Sequence, residues 1–243
     1  LVGDALVEQF VRTAPAHLTP GGIAQLLGNW ESRTGITGLA RLDAWVPADL
    51  DLWVVEREEL SPLAYAELWI RDGGITPRDA AFTPLLTAWL DDFAARGVTA
   101  IGFGYVLLRR GQGEPLRRSE RVTQPVANVG AALGLGLAAH DALAAGLPDT
   151  LVVAPDVTEA RHLLPGNDDP SVIELRQGGG FARTVAVDPA LAGFVGACDG
   201  ELQVLQIAPA LADLFEVPFA QLWAELEPRI RGLVLDGFLL PGE

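Results

Sequence analysis

The sequence contains no methionine and no lysine, and its one cysteine is Cys198. A single cysteine excludes an internal disulfide framework and any metal site built from several thiolates. The expected setting is therefore reducing and cytoplasmic. No unbroken run of ~18 apolar residues occurs, so no segment is predicted to span a membrane. A signal-peptide pattern is also missing, because Asp4, Glu8 and Arg12 punctuate the first eighteen residues at helical spacing. Positive charge is scarce: 17 arginines face 32 acidic residues, for a net charge of −15. That balance argues against a nonspecific nucleic-acid surface, which needs cations to displace counterions. It leaves room for a local basic patch. Arginine in place of lysine fits a GC-rich coding source. The lack of methionine implies that the start has been removed, or that modified residues are missing from the sequence as written.

What is present suffices for a proper core. The chain has 243 residues, 49% of them hydrophobic, enough for one large domain or two small ones. The pattern predicts an α+β protein, α/β in its N-terminal part, in three zones. Residues 1–60 alternate a helix over 4–17, a strand over 23–28, a loop over 32–38, a short helix near 39–42 and a strand over 50–57. Residues 61–190 open on Ser61-Pro62, an N-cap with proline at the first helical position. A second helix is expected from Thr76-Pro77, where Phe82, Leu85, Leu86, Trp89, Leu90 and Phe93 keep a helical rhythm up to Gly97. The best strand, 98–110, has Ile101, Phe103, Tyr105 and Leu107 on one face. A glycine-dotted helix over 125–145 and strands over 157–164, 172–177 and 181–187 follow, the last two as a hairpin over Gly178-Gly179-Gly180. Residues 191–243 read as a turn at Asp199-Gly200-Glu201, two amphipathic helices and a short terminal strand, the outline of a small winged-helix module.

Leu18-Thr19-Pro20-Gly21-Gly22 ahead of the apolar strand Ile23–Leu27 resembles the turn that leads into a late strand of class I S-adenosylmethionine-dependent methyltransferases. Gly3-Asp4-Ala5-Leu6-Val7 and Leu27-Gly28-Asn29-Trp30-Glu31 extend the likeness. Together these runs resemble an uncharacterised bacterial methyltransferase-like family, related to the protein-glutamine and ribosomal-RNA guanine N-methyltransferases and carrying a long C-terminal extension. Tyr65-x-x-x-Trp69-Ile70-Arg71-Asp72-Gly73-Gly74, Leu175-Arg176-Gln177-Gly178-Gly179-Gly180 and Ala197-Cys198-Asp199-Gly200 look like that extension. The resemblance implies that residues 1–60 are the second half of a methyltransferase sheet. It implies S-adenosylmethionine as cofactor and RNA or a translation-related protein as substrate. The family's glycine-rich loop, its acidic residue after the second strand and its Asn-Pro-Pro-aromatic motif do not occur in this sequence. The expectation is that they lie upstream, with the cofactor bound mainly there and residues 1–243 inactive alone. The alternative is a non-catalytic interaction module built on a truncated sheet.

Asn29, Trp30 and Glu31 are the candidate acceptor-side residues, because ligands lie outside the carboxyl ends of strands in α/β sheets. Trp30 could stack on a planar acceptor while Asn29 or Glu31 bonds its edge. The competing reading is a tryptophan capping the core beside a polar turn. His17, His140 and His162 lack the spacing of a metal site, and Cys198 has no base motif beside it. Ser61, Ser119 and Ser171 lie in no nucleophile elbow. Asn128–Gly136 is a weak match to a dinucleotide loop and reads better as a packing helix. Arg109, Arg110, Arg117, Arg118 and Arg121 form the one basic patch, either a guide for RNA phosphates or a solvated loop paired with Glu114 and Glu120. The helix carrying Glu225, Glu227, Arg229 and Arg231 has no net positive face. Sequence-specific DNA binding is therefore not expected, and the C-terminal module reads better as a packing or protein-contact module that could meet a protein partner.

Overall fold

The computed structural model describes residues 2–122 and 128–242. It is α+β, and it divides into two compact units, Leu1–Pro125 and Val126–Glu243. Among the described residues no helix is long and apolar enough to cross a membrane.

Unit 1 begins with α1 (Ala5–Thr13), which buries Val7 and Val11 and runs into one 3-10 turn (Ala14–His17). The turn at Gly21, where φ is +75°, feeds β1 (Ile23–Arg33). Helix α2 (Gly38–Trp45) starts where the Thr37 hydroxyl accepts from the Ala40 N–H, an N-cap. It is followed by β2 (Asp51–Leu60). Ser61 caps α3 (Pro62–Asp72) in the same way, with proline at N1. Helix α4 (Phe82–Ala95) stops at Gly97, where φ is +64°. Strands β3 (Val98–Arg109) and β4 (Arg117–Arg121) complete the unit.

The four strands lie in the order β1-β3-β2-β4. Strand β3 is antiparallel to both β1 and β2, and β4 runs parallel to β2. Side chains alternate between the faces of the sheet. Trp30, Leu52, Val54, Val106 and Leu108 turn toward α1 and α2, where Val7, Val11 and Leu42 close the core. Ile101 faces the other way, into a smaller cluster with Ala66 of α3 and Phe93 of α4.

Unit 2 comprises α5 (Val129–Ala145), β5 (Thr150–Val153), β6 (Val157–Leu163), β7 (Pro170–Gln177), β8 (Thr184–Val187), α6 (Pro189–Gly196), β9 (Asp199–Gln203), α7 (Val204–Leu214), α8 (Phe219–Leu235) and β10 (Leu239–Pro241). Its strands form two antiparallel sheets, β10-β5-β9 and β6-β7-β8. Leu151, Leu175, Leu191, Phe194, Leu226 and Phe238 share one core between them. The β7–β8 hairpin turns over the triple glycine, with Gly180 at φ +55°.

Several expectations differ from this architecture. The boundaries drawn at 60/61 and 190/191 do not separate its units. Strand β3, from the middle zone, fills the gap between β1 and β2, while the second boundary falls inside α6, whose Leu191 and Phe194 join the unit 2 core. The terminal strand β10 pairs with β5, so residues 191–243 share a sheet with the middle zone. The second helix starts at Phe82 rather than Thr76, because the Asp79 carboxylate accepts from both the Thr76 N–H and hydroxyl at 2.7 Å and holds a turn there. Residues 125–127 of the expected helix over 125–145 lie outside the described residues. The arginine run was expected in a loop and instead includes β4.

Gly104 shows how closely the central strand is clasped. A Cβ at this position would collide with the backbone carbonyl of Val55, beside the bulge that β2 makes between Glu56 and Glu58. Gly104→Ala is expected to destabilise unit 1 by about 3 kcal/mol, because backbone must move to admit the methyl. A urea midpoint followed by tryptophan fluorescence measures this.

Candidate functional site

The carboxyl-terminal end of β1 meets the α3–α4 hairpin in a cavity of about 460 Å³. Asn29, Trp30 and Glu31 all line it, but they play different parts because strand alternation separates them.

Asn29 turns its side chain toward α3, where its amide donates to the Tyr65 hydroxyl. Trp30 points to the opposite face and is completely buried. Its indole N–H donates to Glu56 Oε2 at 2.9 Å, and Gly38 and Gly102 press against its ring so closely that neither tolerates a Cβ. The Trp30 ring is thus a core side chain and is not presented for stacking. Glu31 turns back to the cavity side, yet it is 4% exposed and its carboxylate is wrapped by guanidinium groups. Oε2 accepts from Arg33 Nη2 at 2.8 Å and Nε at 3.1 Å, and Oε1 pairs with Arg96.

Asp4 lies behind Glu31 and is equally buried. It accepts from the Glu31 backbone N–H at 2.9 Å, from both terminal nitrogens of Arg41 at 2.5 and 3.0 Å, and from Arg33 at 3.3 Å. Arg96 also reaches Asp92 at 2.6 Å. Three carboxylates (Asp4, Glu31 and Asp92) therefore balance three guanidinium groups (Arg33, Arg41 and Arg96), and the polar floor of the cavity is close to neutral.

The wall is aromatic. Tyr65 lies 6.0 Å from the ring of Trp89 and 6.2 Å from that of Phe93, and Trp89 lies 5.7 Å from Phe93, all in tilted or edge contacts. Burial raises the pKa of the Tyr65 phenol above its ordinary value, against opposing hydrogen bonds from Asn29 and Trp69, so it stays protonated near neutrality. Sequence reasoning missed Tyr65 and Trp89 as site residues. A signal was there: Tyr65/Trp69 and Trp89/Phe93 are aromatic pairs at i, i+4 on two successive helices, and such spacing places both rings of a pair on one helix face.

The other candidates are engaged elsewhere. Each arginine of the basic patch meets a carboxylate: Arg109 pairs with Asp51 at 2.5 Å, Arg110 with Asp49 at 3.7 Å and Arg117 with Asp43 at 3.2 Å. Arg118 pairs with Glu120, and Arg121 with Glu56, both at 2.7 Å. That leaves little field for phosphates. Among the described residues no group of three or more His, Cys, Asp or Glu side chains could hold a metal ion. His162 meets Glu174 at 3.2 Å, Ser61 is a helix cap, and the Ser171 hydroxyl donates to the His162 carbonyl. Asn128–Gly136 forms the start of α5 rather than a loop after a strand.

Comparison with known proteins adds no family: no protein-family profile matches the chain, and no curated protein matches it in sequence.

Three outcomes are expected. Arg41→Met leaves Asp4 buried with its main partner gone and should cost about 3 kcal/mol in a urea titration. Arg12→Ala, which breaks an exposed i, i+4 pair with Glu8, should cost under about 0.5 kcal/mol. Burial, helped by Asp199, pushes the Cys198 thiol up to about 12, and its Sγ donates to the Phe194 carbonyl at 3.2 Å. At pH 8 the native protein should therefore resist a thiol-specific disulfide reagent that modifies it fully once it is unfolded in urea. Rapid labelling of native protein would contradict that burial.

Proposed function

We propose that this chain is part of an S-adenosylmethionine-dependent N-methyltransferase acting on a planar amide or base nitrogen, in RNA or in a protein of the translation machinery. The observation that carries this reading is the strand order of unit 1. Strands β1 and β2 run parallel with α2 between them in sequence, and β3 enters antiparallel between the two. The sheet of class I methyltransferases, which the Pro20-Gly21-Gly22 turn and its flanks resemble, closes in a like manner. Two further observations support the reading. Strand β1 is eleven residues long and pairs only with β3 among the described residues, leaving an open edge of the kind natural sheets cover. The cavity also sits at the carboxyl end of β1, the side on which open α/β sheets bind ligands.

The described residues do not by themselves fit the cofactor. Asp4 and Glu31, the buried carboxylates that could accept from ribose hydroxyls, are already saturated by arginine and backbone donors. The glycine-dotted string at 128–136 is helical. On this reading the cofactor is held mainly by residues upstream of Leu1. Unit 1 would contribute a sheltered wall that aligns the acceptor nitrogen, and alignment supplies much of the barrier reduction in a bimolecular transfer.

A protein-contact role for the C-terminal region is the second reading. Leu205, Leu214, Phe215 and Phe219 are exposed apolar side chains of α7, α8 and the turn between them. Apolar surface of that kind is a common mark of an interface.

Calorimetry with S-adenosylmethionine tests the first reading. Residues 1–243 alone should bind weakly. A longer polypeptide that adds an upstream strand, a glycine-rich loop and an Asn-Pro-Pro-aromatic motif should bind at least tenfold tighter. Tight binding by residues 1–243, or a natural gene without those upstream motifs, would overturn the assignment.

A further inference from the structure

We propose that the cavity between β1 and the α3–α4 hairpin is a slot for one unstacked nucleobase, held by Tyr65, Trp89 and Asn29. The inference deepens the methyl-transfer reading, and rests on it for the meaning of the site, by choosing a base over a side-chain amide.

Three features select the ligand. The first is charge. Asp4, Glu31 and Asp92 are matched by Arg33, Arg41 and Arg96, and Arg96 itself sits over the Phe93 ring at 5.5 Å. A cationic guest would meet that guanidinium and an anionic one the carboxylates, so the slot suits a neutral group. The second is surface. Tyr65, Trp89 and Phe93 form a continuous aromatic wall, and ring-on-ring stacking rewards a planar heterocycle far more than a small carboxamide. A cavity of about 460 Å³ has room for a purine with part of its sugar, whereas an amide tip would leave most of it empty.

The third is the polar edge. The Asn29 amide donates to the Tyr65 oxygen, so this hydroxyl has its own hydrogen left to donate. Asn29 uses its Nδ2 in that bond, leaving Oδ1 as an acceptor next to the Tyr65 O–H. One donor beside one acceptor complements the Watson–Crick edges of nucleobases, which pair a ring nitrogen with an exocyclic group. Because burial raises the Tyr65 pKa, the donor persists well above neutral pH.

Nuclear magnetic resonance titration of residues 1–243 with adenosine, guanosine, uridine and N-acetylglutamine amide tests the slot, with no S-adenosylmethionine present. At least one nucleoside should shift the Trp89 indole and Asn29 amide signals saturably, and the glutamine amide should not. Trp89→Ala should weaken that binding at least tenfold, as loss of a stacking ring does. Tyr65→Phe keeps the ring and removes the hydroxyl, and should weaken binding several-fold with its circular dichroism spectrum unchanged. Arg12→Ala should leave it unaltered. A short unstructured oligoribonucleotide that binds more tightly than its nucleoside identifies a polynucleotide as the source. Equal affinity identifies a free nucleoside.

Binding of the glutamine amide alone, no nucleoside binding at millimolar concentration, or nucleoside binding indifferent to both substitutions would overturn the proposal. Since the titrations omit the cofactor, a failure here leaves the calorimetric test of methyl transfer untouched, and the reverse also holds.

Discussion

The buried carboxylate of Asp4 is the constraint on which the first unit turns. A charge withdrawn from water must be fully paired, or it costs several kcal/mol. Asp4 finds its partners on two separate elements: the Glu31 backbone N–H and the Arg33 guanidinium on β1, and Arg41 on α2. Arg41 donates in turn to the Glu31 carbonyl at 2.5 Å. One side chain at the start of α1 thereby fixes where β1 ends and how α2 approaches it. Apolar contacts among Val7, Val11 and Leu42 supply the attraction, but they are nondirectional. The ion network supplies the register.

The same network shapes the cavity. By consuming Glu31 and most of the capacity of Arg96, it removes strong charges from the floor and leaves recognition to neutral groups. The aromatic hairpin then dominates the wall. Asn29 is the one residue of the strand end that still offers a polar edge, and Tyr65 orients it. The hairpin that separates β2 from β3 therefore contributes more to the surface of the site than the strand that first drew attention to it.

Much of the fold was legible in the sequence because local periodicity carries it. The alternation of Ile101, Phe103, Tyr105 and Leu107 marked β3, and the Ser61-Pro62 cap marked α3. The cavity was legible only in part. Reading β1 as ending near Gly28 made Asn29, Trp30 and Glu31 seem a single loop surface. The strand continues to Arg33, so its pleat sends Trp30 to one face and its two neighbours to the other. Strand β4 was hidden because Arg117 and Arg121 look solvated, when their partners Asp43 and Glu56 lie on other elements. Pairings of that kind depend on contacts distant in sequence, and no local window contains them.

The insertion of β3 between β1 and β2 also sets the order in which unit 1 can assemble. Ile23 of β1 and Asp51 of β2 both pair with Arg109, the last residue of β3. During synthesis neither earlier strand has its neighbour until β3 has emerged from the ribosome. Until then both edges of the future centre stand open, while α1 and α2 have no complete sheet to pack on. Long-range closure of this kind slows folding and exposes sticky intermediates. The unit is thus organised around a late arrival, and truncations that stop short of residue 109 leave two strands without the one that joins them.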